Sequence, residues 1–544
     1  MSPWGAVPVA ALGLVAGAIA LQSYATWRQC DLQRLVFWAA TGAASLLWLA
    51  FFFLLTRFIV VDVSYEYVFQ YTSSQVPLRY RIAGTWTGRE GSLLLWTAYT
   101  ATAAALMARP RVASPARRWT VTFLLLILLA FLWAVVAQDT FAATSDFFLQ
   151  GRPEGNGLNP TLRSPFILIH PPMMFLAYAL TAVTASAMLA QAVAGGREAS
   201  IINLAWSRVN WLLYTVAIGL GGIWAYYTLG FGGYWGWDPV ELANLLPWIA
   251  LTVFLHAQIH NVKHGSYALV LPFLGLLPFI FTLFSAISTR SGLWFSVHAF
   301  TDPTSTFNPD APGRFLAILD VEPIVAFYVG LLLATLLVGL ALWGRRQSVT
   351  ERHMLRGSRI IAAVYGALAA YALVDPQGFI GLSFQAAAAF PGPMALGLMG
   401  ILFAVAVVPA LPALTVKPTE PAAERRPRRL TERNLLYASI LTLSLGLLLF
   451  TLFHFQTVNG WDRAFYDARF PWLMTPVLVL LILLQGHAMV GNRGLGLLVA
   501  GCLAAAATAW LVVPGQRGGA YLVVLSIAAL AVGVERLRRA MTAP

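Results

Sequence analysis

Charged side chains are scarce in this chain: Asp, Glu, Lys and Arg make up only 10% of 544 residues, against 59% hydrophobic residues and a mean hydropathy of +0.72. Soluble domains carry about 25% charged residues, so a water-soluble globule is excluded and a polytopic membrane protein is indicated. Cysteine is scarcer still. Cys30 and Cys502 are the only two and form no CxxC pair, which supports neither a disulfide framework nor dithiol chemistry. An internal repeat and low-complexity tracts are also missing. So is a basic stretch ahead of the first apolar run: only Met-Ser-Pro-Trp precedes it, and a retained helix is expected there rather than a cleaved signal peptide.

What is abundant is apolar sequence in runs of about 20 residues, the length that crosses a bilayer. About 15 such segments are expected, near 5–22, 35–57, 92–108, 118–138, 173–194, 209–229, 239–261, 266–287, 322–344, 359–374, 393–413, 434–453, 472–492, 495–513 and 519–535. The fold class is therefore all-α: one integral membrane domain over residues 1–544, a transmembrane helix bundle. Periplasmic loops and short amphipathic helices form its outer cap.

The net charge of +13 arises from 35 basic and 22 acidic residues. An exterior N-terminus leaves roughly two-thirds of the basic residues on the inner side, with the C-terminus, as the positive-inside rule requires. Arg109, Arg111, Arg117, Arg118, Arg345 and Arg346 lie in such inner segments, and a Pro- and Arg-rich stretch at 414–433 reads as a flexible cytoplasmic linker. These clusters are short and lack aromatic interleaving, which argues against a nucleic-acid surface.

Long outer segments at 139–172, 230–240 and 288–321 are where chemistry is expected. They carry "HPPMMFLAY" from His170, "GGYWGWDPVELANLLPW" (232–248) with Tyr234, Trp235, Trp237 and Asp238, and "SGLWFSVHAF" with Trp294 and His298. Singly these have plain readings: Trp and Tyr as an interfacial belt, histidine as hydrogen-bonded filler, and Asp238-Pro239 as a helix N-cap with Pro in the first turn. Together, two imidazoles and a ring-rich floor suit a haem, a flat macrocycle whose iron takes axial ligands from both faces. Asp238 then has two readings, helix cap or haem-edge acid.

His256 lies roughly 27 Å along the helix from Asp238 at 1.5 Å per residue, and His487 roughly 23 Å into another inward-running segment. Ionisable groups at such depth are functional candidates by default. The plain alternative is a polar stripe formed by His256, His260 and His264, spaced by four; it is preferred for the latter two.

"WTGREGSLLLW" (86–96), "GNGLNPTLRSPFILIHPPMMFLAY" (155–178), "GGYWGWDPVELANLLPW" (232–248) and "TRSGLWFSVHAF" (289–300) resemble, in order, motifs of the CcmF family. These are membrane haem lyases of cytochrome c maturation that bear the tryptophan-rich WWD signature. The resemblance implies that His170 and His298 ligate a substrate haem on the outer face, over a surface of Tyr234, Trp235, Trp237, Asp238 and Trp294. It also implies that His256 ligates a second, intramembrane haem b. Arg290 and Arg163 are then candidates for the propionates. The chain departs from the family pattern at Arg89, where histidine is usual, at Leu242, where asparagine is usual, and in its C-terminal part, which lacks the family's second membrane histidine. His487 falls near that position and is the candidate replacement ligand. The partners implied are a CcmE-like haem chaperone, apocytochrome c with its CxxCH motif and thiol-presenting or reducing partner, and quinol as electron donor. The location implied is the bacterial cytoplasmic (inner) membrane, with the active site facing the periplasm. Two other classes remain open: a quinol-linked oxidoreductase subunit with permanently held haems, and a haem or solute transporter. The shorter haem-delivering sibling would hold only about six helices.

Overall fold

A computed structural model of the chain describes residues 3–28, 30–110, 114–151, 154–228, 235, 238–265, 267–268, 271–291, 323–343 and 492–512, with scattered positions between 475 and 535. The described residues are helical, with one isolated antiparallel bridge between Tyr65 and Ala143. In chain order the α-helices are α1 (Ala6–Arg28), α2 (Gln33–Val60), α3 (Glu66–Tyr71), α4 (Leu78–Thr87), α5 (Arg89–Met107), α6 (Pro115–Gln138), α7 (Asp146–Gly151), α8 (His170–Ala194), α9 (Glu198–Thr228), α10 (Pro239–His264), α11 (Leu271–Arg290), α12 (Pro323–Trp343) and α13 (Asn492–Val512).

Seven helical stretches among the described residues are long and apolar enough to cross a membrane: Pro3–Ala25, Gln33–Val60, Pro115–Gln138, Pro165–Ala194, Glu198–Tyr227, Val240–Lys263 and Leu271–Arg290. The protein is thus an all-α, multi-pass membrane bundle. The segments expected at 359–374, 393–413 and 434–453 and the linker 414–433 lie outside the described residues; those at 472–492 and 519–535 are described only at scattered positions.

The described residues fall into two compact units, one running from the N-terminus through α12 and one holding the C-terminal residues described from 475 onward. In the first unit α8 is the central post, packed on α5, α6, α9 and α11, while α10 lies against α9 and α11. Its composition explains this position. Ala177, Ala182, Ala185, Ala187 and Ala190 are fully buried, and such small side chains let neighbouring backbones approach closely in lipid. The second unit has its own cluster of Leu478, Ile482, Ala506, Tyr521 and Leu525.

Helix ends follow local chemistry. Ser114 caps α6 by accepting from the Arg117 N–H at 3.2 Å, with Pro115 in the first turn. Asp238 caps α10: its carboxylate accepts from Val240 N at 3.0 Å, while the Glu241 carboxylate accepts from Asp238 N at 3.3 Å. Because both groups are buried, this reciprocal box fixes where α10 starts.

One boundary differs from expectation. Helix α9 starts at Glu198, eleven residues before the apolar run expected from 209. Ser200, Asn203 and Ser207 dilute the apolar signal there, yet all three are completely buried.

Candidate functional site

A cavity of about 380 Å³ opens at one end of this unit, within the range of roughly 300–1,000 Å³ typical of cofactor and ligand sites. Its walls come from the α4–α5 junction, the 157–167 segment, the start of α8, the end of α9, the start of α10 and the end of α11.

The α4–α5 junction is built around Tyr67. Its hydroxyl donates toward the Gly84 and Thr85 carbonyls at 3.1 and 3.2 Å and accepts from Gly88 N at 2.9 Å. A Cβ on Gly91 would lie 1.8 Å from the Thr85 carbonyl oxygen, so this break in the helix requires glycine. The junction presents Trp86, Arg89 and Ser92 to the cavity. Trp86 also ties it to the opposite wall, its indole N–H donating to the Ile167 carbonyl at 3.0 Å in the 3₁₀ turn that precedes His170.

His170 is the first residue of α8, followed by two prolines, and it lines the cavity. Its Nδ1 sits 2.8 Å from the Ala217 carbonyl. A carbonyl only accepts, so Nδ1 carries the proton and Nε2 holds the lone pair suited to a metal. Gly221 makes this approach of α9 feasible: a Cβ there would come within 2.8 Å of His170 Cε1. Trp224 meets the imidazole edge-on at 5.8 Å, and its indole N–H is buried without a hydrogen-bond partner among the described residues.

Another wall carries a cation. Arg290, the last residue of α11, is only 7% exposed and donates from Nη2 to Ser92 Oγ at 2.7 Å. The guanidinium lies 6.0 Å from the Phe175 ring and 5.7 Å from that of Tyr328, and its Nε has no partner. Among the described residues no carboxylate lies within ion-pair distance of Arg290, although half-buried Glu90 is near enough for the two charges to interact and Glu241 lines the same cavity. A buried guanidinium with a spare donor on a cavity wall suits an anionic group of a guest. Burial pushes the Tyr71 phenol, also on the wall, up to about 12, with nearby Glu90 adding to the rise. Tyr71 therefore stays a donor throughout the neutral range.

The matching family model is that of the cytochrome C assembly protein, over residues 86–294. The chain is 31% identical to the cytochrome c-type biogenesis protein CcmF of Escherichia coli K12 over 437 residues, which is 75% of this chain and 61% of that protein. It is 36% identical to CycK of Bradyrhizobium diazoefficiens over 250 residues, 45% of this chain and 37% of the relative. The chain is thus similar to proteins of the CcmF family over most of its own length. It spans less than two thirds of the length of either relative. In fold it is similar to a solved structure named cytochrome c heme lyase CcmF, with a TM-score of 0.54 and 22% identity over 89% of this chain and 76% of that one.

The structure brings His170, Trp235 and Arg290 to one cavity, while Asp238 is buried as the cap of α10, whose first-turn residues Val240 and Glu241 line it. Arg163 is not on the wall: it is exposed, and its Nε and Nη2 both donate to the Leu158 carbonyl, at 3.1 and 2.9 Å. Tyr234, Trp237, Trp294, His298 and His487 lie outside the described residues.

His256 is exposed on α10, its Nδ1 2.8 Å from the Thr252 carbonyl, which again leaves the Nε2 lone pair for a ligand. Beside it Trp211 and Trp248 stack at 6.3 Å and lock each other's helix, Trp211 donating to Thr252 Oγ1 and Trp248 to Thr215 Oγ1, both at 2.9 Å. Among the described residues no group of three His, Cys, Asp or Glu side chains could hold a bare metal ion. A single imidazole on a flat aromatic or glycine-lined wall is the donor set of a metal macrocycle.

The sequence reading did not single out Trp86, Trp224, Gly221 and the trio Tyr178, Asn244 and Ser285 as site residues. The Gly221-Gly222 pair inside an apolar helix was a usable signal, since glycine costs a helix about 1 kcal/mol relative to alanine and needs a packing reason.

Proposed function

We propose that this protein is the haem lyase of a chaperone-dependent cytochrome c maturation system in a bacterial inner membrane, with the cavity on its periplasmic side. It would take haem from a CcmE-like carrier and present it to the CxxCH motif of apocytochrome c. The observation that carries this reading is the cavity itself, which combines an oriented imidazole, His170, with a buried cation, Arg290. A haem needs both: a nitrogen for iron and a cation for its propionates.

In this mechanism His170 holds the iron from one face, with His298 from the other. Trp235 and Trp224, with Tyr234, Trp237 and Trp294, support the ring, and Arg290 fixes a propionate edge by charge-assisted hydrogen bonds. Attachment adds a cysteine thiol across a vinyl group: the S–C bond forms at one vinyl carbon and the thiol proton ends on the other, with no net oxidation. The protein's share is to hold vinyl and thiol at bonding distance and in a fixed orientation, which is a large part of the barrier for two-partner reactions. His256, with His487 as the proposed partner ligand, would hold a resident haem b that supplies electrons to keep the substrate iron reduced, with quinol as donor.

The test is production of a c-type cytochrome in a host that lacks its own lyase but retains the carrier, read by haem staining of denatured gels. The reading predicts covalent haem with the wild-type chain and none with His170→Ala. An oxidoreductase subunit would instead leave the cytochrome without attached haem in both cases, while keeping its own haems tightly bound.

A further inference from the structure

The interior between α8, α9, α10 and α11 is polar along its whole length, although it lies inside a membrane bundle. On α9, Ser200, Asn203, Ser207, Asn210 and Tyr214 recur at alternating spacings of three and four, and every one is completely buried. The opposite face of the same helix is exposed and mostly apolar, with Ile201, Val209, Leu212 and Val216 around one exposed arginine, Arg208. From residue 200 to 214 the stripe rises roughly 21 Å at 1.5 Å per residue, most of a hydrocarbon core of about 30 Å.

The neighbouring helices answer it with polar groups at each level. At the cavity floor Tyr178 donates to Asn244 Oδ1, Ser285 Oγ donates to the same oxygen at 2.9 Å, and Ser285 lies 3.1 Å from the Tyr178 hydroxyl. One turn below, Thr181 donates to Thr282 Oγ1 at 3.2 Å, and the Asn210 amide, oriented to satisfy both its groups, bridges the Ala177 carbonyl at 2.9 Å and Thr181 N at 3.2 Å. Deeper still, Thr184 donates to Asn203 Oδ1 at 3.5 Å, Ser207 donates to Gln258 Oε1 at 2.6 Å, and Gln258 donates to the Ser200 carbonyl at 3.0 Å. At the far end Ser200 donates to Gln191.

This seam is not closed on itself. The Asn203 amide nitrogen and the Gln191 amide nitrogen are buried without hydrogen-bond partners among the described residues, at two different depths, while the Tyr214 hydroxyl turns toward Tyr178 and Thr282. Each orphan costs about 1–3 kcal/mol unless something fills it. Buried polar groups of this kind are normally satisfied by internal water. None of the groups in the seam is an Asp, Glu, Lys or Arg, so a metal cation would find no counter-charge there. Hydroxyls and internal water accept and donate at the same oxygen and can pass a proton along, while the amides orient that water.

We propose that the seam holds a file of internal water and conducts protons between the cavity floor at Tyr178, Asn244 and Ser285 and the opposite membrane face. This does not depend on what occupies the cavity. It gives the buried site a way to match a change of charge, which is costly in a low-dielectric interior. Only protons move, so no oxidant or reductant enters the balance.

The test uses the full chain reconstituted in phosphatidylethanolamine and phosphatidylglycerol vesicles loaded with a pH-sensitive dye, with a potassium gradient and valinomycin as driving force. Proton uptake is expected to exceed that of protein-free vesicles and to slow in D₂O, without sodium uptake or release of a trapped dye. Asn203→Leu combined with Asn210→Leu should return uptake to the protein-free level, whereas Asn203→Ser, which leaves room for water, should keep it. Gln258→Leu is a second plug at the far end should the double variant fail to fold. Wild-type vesicles as tight as protein-free ones would overturn the proposal and make the seam helix-packing glue alone. So would a plugged variant with wild-type melting behaviour and unchanged uptake.

Discussion

His170 and His256 are held in the same way and placed in opposite surroundings. Each presents Nδ1 to a backbone carbonyl at 2.8 Å, Ala217 for one and Thr252 for the other. That contact fixes the tautomer, with the proton on Nδ1. His170, however, is half-buried on a cavity wall with Arg290 among the lining residues, whereas His256 is exposed on a helix face beside two interlocked tryptophans. The difference separates two jobs. A pre-formed cavity with its own cation can accept and release a charged guest, while an imidazole on an open helix face needs another element to complete its site, which suits a group held permanently.

The most forceful way to break this comparison is to remove each imidazole in turn. His170→Ala should abolish covalent haem attachment to the cytochrome while the intramembrane haem b of the purified protein survives, measured by pyridine haemochrome. His256→Ala should do the reverse to the haem b signal. If both variants lose the same signal, the two sites are one and the division of labour proposed here fails.

Next in size is the cation. Arg290→Gln keeps a donor for Ser92 but removes the charge, and hydrogen bonds to charged groups are worth about 1.5–3 kcal/mol. Haem added to the purified protein should bind the outer site roughly 10- to 100-fold more weakly, read by spectral titration. The same change removes a buried charge that has no carboxylate within ion-pair distance among the described residues, so the haem-free protein should melt at a higher temperature. A fall in both quantities would mean that Arg290 is paired in the native state and serves the fold.

A sharper cut leaves both ligands in place. Gly221→Ala puts a Cβ 2.8 Å from the His170 ring, while Gly219→Ala, two residues away, meets nothing within 4 Å. Overpacking costs about 1–3 kcal/mol, and here the side chain that must yield is the ligand itself. Gly221→Ala is expected to weaken outer-site haem binding about tenfold, at the low end of that cost. Gly219→Ala should match wild type, and neither should alter the haem b band.

How much of this was legible in the sequence follows from the same residues. The membrane bundle and most of the described spans were readable because twenty-residue apolar runs have few other uses. His170, which lines the cavity, stood out in the sequence because two prolines follow it at the head of an apolar run. The true start of α9 was not, since hydropathy averages over a window and Ser200, Asn203 and Ser207 pull it down, although all three face inward. Nor was the contrast between Arg163 and Arg290. Both are arginines in outer motifs, but one is spent on the Leu158 carbonyl and the other is buried with an unpartnered Nε. Only three-dimensional packing separates them.

The smallest expected effect tests whether the aromatic pair beside His256 matters to its ligand role. Thr252→Val keeps the shape of the residue and the backbone carbonyl that orients His256, and removes only the hydroxyl that accepts from Trp211. The hydroxyl also donates to the Trp248 carbonyl at 2.8 Å; losing two neutral hydrogen bonds at about 1 kcal/mol each should lower stability modestly while the haem b content is retained. Trp211 is then free to rotate away from Trp248, and the haem b absorption band should shift in position without loss of intensity. An unshifted band would place the tryptophan pair among the lipid-facing packing contacts and leave His256 to act without an aromatic wall, narrowing its difference from His170 to the cavity alone.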